Sequence, residues 1–108
     1  MNLPTEIFGN ITVIHTPEEL GADQRSDFES YLSTLEHKNV VLDVDNTETL
    51  DSEGLAALLE VQDRLRRASG DVKIAATNAT NRKILEITRL DQQLEVFDSV
   101  VSAVRSFQ

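Results

Sequence analysis

The sequence predicts an α/β fold, a mixed four- to five-stranded sheet opened by an N-terminal antiparallel hairpin and covered by about four helices. Three observations predict it. Short β-branched runs alternate with longer segments of helical period, the pattern of parallel strands joined by crossover helices. Val40-Val41-Leu42-Asp43-Val44 is almost continuously apolar, as a central strand buried on both faces is. The 108 residues, 40% hydrophobic and 27% charged, suit one folded domain spanning residues 1–108.

The elements follow in order. Residues 6–8 and 11–14 read as strands, and the Gly9-Asn10 link between them suits a tight hairpin, because glycine accepts the positive φ such a turn needs. Phe28, Tyr31, Leu32 and Leu35 recur at i, i+3, i+4 and i+7, one face of a helix over residues 23–36. The apolar strand at 40–44 comes next. Leu55, Leu58, Leu59 and Leu65 mark a second helix, which Ser69-Gly70 ends. Residues 72–76 form another strand, and Ile84, Leu85 and Ile87 lie on a third helix over residues 81–90. Phe97, Val100, Val101 and Val104 repeat the helical spacing in a last helix, with Asp98 as its cap.

Composition narrows the function. The absence of cysteine excludes disulfides, thiolate metal sites and cysteine nucleophiles. No apolar run has membrane-spanning length, and the first residues lack the layout of a signal peptide, so a cytoplasmic location without membrane insertion is expected. The net charge is −9, unevenly spread: residues 1–63 carry two cations, Arg25 and Lys38, against 14 acids, and residues 64–108 carry eight cations against five acids. Nucleic-acid phosphates would be repelled by the first half, so no nucleic-acid partner is expected. The acidic excess serves solubility or faces a basic partner. No glycine-rich phosphate loop or serine–histidine pair appears, and neither a cofactor nor a catalytic residue is expected. His15 and His37 flank the first helix without metal-ligand spacing and read as surface or helix-end residues. Arg64, Arg66 and Arg67 supply favourable charge at a helix C-terminus, and Arg82-Lys83 reads as a solvated face.

The densest chemistry lies between Asp43 and Leu55, where five acids fall within 11 residues at the carboxyl end of the predicted central strand. In open α/β sheets that edge is where ligands and partners bind. Asp43-Val44-Asp45-Asn46-Thr47 resembles the first motif of the haloacid-dehalogenase phosphatases, Asp-x-Asp-x-Thr. That resemblance implies a small Mg²⁺-dependent phosphatase using Asp43 and Asp45, the first as nucleophile and the second as general acid. The chain departs from it: no downstream acidic pair follows for the metal, a hairpin and a helix precede the motif, and Glu48 stands where the family prefers an apolar residue.

The next five residues point elsewhere. Asp51-Ser52-Glu53-Gly54-Leu55, set between the apolar strand and a leucine-rich helix, resembles the STAS domain of bacterial anti-sigma factor antagonists, whose typical segment is Asp-Ser-Ser-Gly-Leu or Asp-Ser-Thr-Gly-Leu. The similarity continues through Leu85-Glu86-Ile87-Thr88-Arg89-Leu90-Asp91, like the family's third helix and its exit, and through Phe97-Asp98-Ser99 with Ala103, like its strand-to-last-helix tail. It covers residues 40–107 well. The first third departs, with Glu18-Glu19-Leu20-Gly21-Ala22-Asp23 where the family often has Gly-Glu-Leu-Asp. The resemblance implies a non-catalytic, partner-switching regulator of transcription. Such an antagonist binds an anti-sigma factor that is also a serine kinase, or a related ATPase-fold protein. The kinase phosphorylates the residue before the motif's glycine, which releases the antagonist. That residue here is Glu53, which has no hydroxyl. The implied partner surface is Asp45, Asn46, Thr47, Asp51, Ser52, Glu53, Gly54 and Leu55 with the exposed side of the following helix. A STAS subunit of a phospholipid or anion transport system is the alternative that shares this fold.

Each motif residue also has a local reading. Glu53 either keeps the domain in a partly phospho-like state, with −1 charge against about −1.5 to −2 for phosphoserine, or gains about 0.3–1 kcal/mol from the helix dipole. Asp51 reads as an N-cap worth about 1 kcal/mol. Ser52 reads as a capping or buried serine, or as an alternative phospho-acceptor. Gly54 serves close partner approach or helix packing, and Thr47 and Thr49 read as loop hydroxyls that bond locally.

Overall fold

The computed structural model describes residues 1–108. The elements run β1 (Thr5–Phe8), β2 (Ile11–His15), β3 (Glu19–Leu20), α1 (Ala22–Ser33), β4 (Asn39–Asp43), β5 (Thr49–Leu50), α2 (Ser52–Arg67), β6 (Asp71–Ala75), α3 (Ala79–Ile87), a 3-10 turn (Leu90–Gln92), β7 (Glu95–Phe97) and α4 (Val100–Arg105). Five strands form a mixed sheet in the order β1-β2-β4-β6-β7, in which only β1 runs antiparallel to its neighbour. Phe8 pairs with Ile11, so the hairpin link has two residues, and Gly9 takes φ +62° in it. β3 and β5 pair apart from the main sheet as a short parallel ladder.

Strand alternation divides the core into two layers. Ile14, Leu42 and Ile74 lie in register and meet Phe28 and Leu32 of α1, Leu58, Val61 and Leu65 of α2, and Leu85 of α3. On the opposite face Val13, Val41 and Ala75 pack with Ile11 and with Ala103 of α4. β4 therefore needs apolar residues on both faces, which is why its sequence lacks the usual alternation. Lys73, beside Val41 in register, is buried under α4. Its ammonium stays partnered, 3.1 Å from the Glu95 carboxylate, 3.2 Å from the Ser106 carbonyl and 4.5 Å from the Phe107 ring centre.

Several boundaries differ from the sequence reading. α1 ends at Ser33. α3 starts earlier, because the Asn78 side chain accepts from the backbone N–H groups of Thr80 and Asn81, and Leu90 falls in the following turn. The end of α2 agrees with the sequence reading: the helix stops at Arg67, Ser69 takes a left-handed φ of +65°, and the Gly70 N–H closes the end on the Leu65 carbonyl at 2.7 Å. The predicted last helix is two elements: Phe97 closes β7 and α4 begins at Val100. Its cap is Ser99, whose hydroxyl accepts from Ser102 N–H, and not Asp98. Phe97, Val100 and Val104 all pack on the same small cluster, so an apolar period ran unbroken across a strand and a helix. The pairing of β3 with β5 was not anticipated either, since two residues carry no readable period.

His15 is also placed differently. It ends β2, partly exposed, with Nε2 2.9 Å from Glu6 of β1 and Nδ1 2.9 Å from Asp43 of β4. The Glu6 hydrogen bond raises its pKa above 6.5; burial opposes that, and the Asp43 charge adds to it. A histidine raised in the folded state stabilises fully below its unfolded value of about 6.5, and this contribution is lost as pH rises through the folded value. Accordingly, the stability advantage of wild type over His15→Gln should shrink between pH 6 and pH 8. Urea midpoints for both proteins at the two pH values measure it, and an advantage that grows with pH would contradict the assignment.

Candidate functional site

The acidic segment leaves β4 at its carboxyl end and is anchored at once. The Asp43 carboxylate pairs with His15 and accepts the Asp45 N–H at 3.0 Å. Asp45 turns toward the β6–α3 connection, accepting from the backbone N–H groups of Thr77 and Asn78, each at 2.8 Å, and from the Thr77 hydroxyl. Burial pushes the Asp45 carboxyl up, but the hydrogen bonds from Thr77 and Asn78 outweigh it and hold the group below the usual aspartate value. The two carboxylates of the phosphatase-like motif thus serve different parts of the protein, and no cluster of three metal-ligating side chains forms around them. The geometry lends that reading no support.

Thr47 is an internal anchor. It is 1% exposed, its hydroxyl donates to the Pro17 carbonyl at 2.6 Å and bonds the Thr16 hydroxyl, and its carbonyl accepts from the Asn81 amide at 2.8 Å. The same amide donates to the Val44 carbonyl at 2.8 Å. Thr47 therefore leaves the expected contact surface: a side chain closed off on every side has nothing to offer a partner. Asn81, which sequence reasoning assigned only to a helix, pins the whole turn.

β5 then pairs with β3, burying Leu50 and leaving Thr49 exposed. Asp51 follows as the N-cap of α2, with one carboxylate oxygen accepting the N–H groups of Glu53 and Gly54, each at 3.0 Å. Gly54 is buried against β3: a Cβ there would lie 1.9 Å from the Leu20 carbonyl oxygen. Helix packing, not partner approach, requires this glycine. Ser52 is neither the cap nor buried; it is exposed beside Glu53 on the outer side of the first turn. Leu55 is half-buried against the core. The expected surface reduces to Asn46, Asp51, Ser52 and Glu53, edged by Leu55 and the partly buried Asp45.

Sequence reasoning missed Arg25. Its Nη1 lies 2.7 Å from the Glu53 carboxylate and its Nε 3.0 Å from Glu29. The local signal was only the Arg25–Glu29 spacing of four residues, which a helix brings together. The contact with Glu53 exists because α1 packs beside α2. The first turn of α2 thus presents a carboxylate ion-paired with a guanidinium above a capped set of backbone N–H groups. Such an arrangement presents a fixed negative charge at the start of the helix.

The family model described as STAS domain matches residues 2–103. No curated protein matches the chain by sequence. Solved structures that share the fold include the following three. An anti-sigma factor antagonist from Mycobacterium paratuberculosis superposes with a TM-score of 0.84 at 18% identity, covering 97% of this chain and 92% of that one. The Bacillus cell fate determinant SpoIIAA in its phosphorylated form gives 0.71 at 16% identity, covering 99% and 100%. A sulfate transporter family protein from Wolinella succinogenes gives 0.79 at 15% identity, covering 94% and 87%.

Two substitutions in the motif should differ in their effect on stability. Propensity alone would make Gly54→Ala stabilising by about 0.5–1 kcal/mol. The clash with Leu20 should instead make it destabilising, by about 1–3 kcal/mol, as overpacking does. Glu53→Ala removes an exposed ion pair and should change stability by no more than about 1 kcal/mol. Denaturant midpoints of the two variants provide the check; a stabilised Gly54→Ala would contradict the tight α2–β3 packing.

Proposed function

The chain belongs to the STAS domain family, and on that premise we propose that it is a non-catalytic protein-binding domain that works as an anti-sigma factor antagonist in which the switch residue is a glutamate. The observation that carries this reading is Glu53. It stands exposed in the first turn of α2, directly after the Asp51 cap and before the buried Gly54, with Arg25 closing an ion pair on it. In the family pattern this is the phospho-acceptor position. A glutamate there carries a permanent negative charge at the helix start, smaller than that of a phosphoserine and with fewer acceptor oxygens. The domain is thereby biased toward the phosphorylated-like, partner-free state, and no phosphatase can reverse that bias at this position.

The proposed docking face is Asn46, Asp51, Ser52 and Glu53 with Leu55 and the outward side of α2. Its partner is an anti-sigma factor serine kinase or a related ATPase-fold protein, met in the cytoplasm. Ser52 has the exposure an alternative phospho-acceptor needs. The likeness to a sulfate transporter family protein favours a second reading, a STAS subunit of a transport system that contacts a transporter or its ATPase.

The test is binding of wild type and Glu53→Ser to an anti-sigma kinase of the same host, first with ADP and then with ATP. Glu53→Ser is expected to bind in ADP, become phosphorylated in ATP and dissociate, while wild type binds at least tenfold more weakly in both. Wild-type binding as tight as the variant's, unchanged by ATP, would remove the phospho-like role of Glu53. Binding by neither protein would favour the transport-associated reading.

A further inference from the structure

A second site lies at the other end of α2, roughly 18 Å along the helix from Glu53 at 1.5 Å per residue. There α1 and α2 diverge around an open groove of about 210 Å³. Its floor is Leu32 and Leu35 from the end of α1 and its exit, with Val61 and Leu65 of α2. Its rim carries two cations, Lys38 from the α1–β4 connection and Arg64 from α2, with His37 beside them. No carboxylate lines it, although the chain carries 19 acidic residues and a net charge of −9. Neither Lys38 nor Arg64 is engaged in an ion pair; the one hydrogen bond of the Arg64 guanidinium within the protein is a long one to the Glu29 carbonyl at 3.4 Å. Elsewhere in the first half of the chain the single other cation, Arg25, is held by two glutamates. Apolar floor and acid-free rim therefore occur together here with two cations; the separate groove of Phe8, Val100, Val101 and Val104 is also acid-free but carries only Arg105.

We infer that this groove is a binding site for a small amphipathic anion, a carboxylate with a short alkyl body. The alkyl body would cover the leucine and valine floor. The carboxylate would meet the Arg64 guanidinium, whose planar fork suits two carboxylate oxygens, with Lys38 as a second charge. The groove is smaller than the 300–1,000 Å³ typical of pockets for drug-sized ligands, which limits the body to a short chain. The site shares no residue with the motif at the start of α2, so it stands or falls independently of the antagonist reading.

The experiment is a titration of the intact ¹⁵N-labelled chain with octanoate, followed by amide chemical shifts, with acetate and octanol in parallel. Saturable shifts confined to residues 32–38 and 61–68 are expected for octanoate, with acetate and octanol at least tenfold weaker. The double variant Lys38→Gln/Arg64→Gln, exposed at both positions, should weaken octanoate at least tenfold without changing the folded spectrum elsewhere. Octanol binding as tightly as octanoate, or octanoate affinity unchanged in the double variant, would overturn the anion preference. Absence of saturation, or shifts centred on the separate apolar patch of Phe8 and Val101, would overturn the site itself.

Discussion

Burial of β4 on both faces is the constraint on which the rest of the structure depends. Leu42 faces the larger core with Ile14 and Ile74, and Val41 faces the smaller one with Val13 and Ala75. A strand closed on both sides has its direction and register set by packing, because a slip of one residue would exchange its two faces. The carboxyl end of β4 is therefore held in a defined place at the edge of the sheet. The acidic segment can leave it only there, and α2 can begin only where that segment ends.

The segment itself shows how acidic residues divide between scaffold and surface. Asp43 and Asp45 use their carboxylates on His15, Thr77 and Asn78, and Asp51 uses one oxygen on two backbone N–H groups. Thr47 and Asn81 lock the turn between them from beneath. The bonds of Asn81 to the Val44 and Thr47 carbonyls are buried, where an unmade hydrogen bond costs about 1–3 kcal/mol. Glu53 and Ser52 have no such duty. An exposed pair such as Arg25–Glu53 contributes about 0–1 kcal/mol, so stability gives little reason for a glutamate there. The residue is free to serve recognition because the fold around it is already secured by Asp51 and Gly54.

The two ends of α2 carry opposite electrostatics on one rigid element. The N-terminal turn gathers Asp51 and Glu53, where the helix dipole favours negative charge, and the C-terminal turns carry Arg64, Arg66 and Arg67, where it favours positive charge. Helix chemistry explains the placement of both groups. It does not explain the acid-free groove, which arises because the α1–β4 connection brings His37 and Lys38 beside Arg64.

What was legible in the sequence was what neighbours within a turn or a strand decide. The unbroken apolar run of β4, the Gly9-Asn10 link, the leucine period of α2 and the Asp51 cap are all set by contacts a few residues apart or by burial that imposes its own period. The Phe97–Val104 segment marks the limit of that logic: an apolar spacing of i, i+3, i+4, i+7 held across the end of β7 and the start of α4, because both elements face one cluster. The remaining features were decided by tertiary structure alone. Arg25 meets Glu53 across 28 residues, His15 meets Asp43 across 28, and Asn81 meets Thr47 across 34. Gly54 is required by the Leu20 carbonyl of another strand. Such contacts leave no period in the chain, because their partners are chosen by the packing of whole elements rather than by the spacing of residues within one.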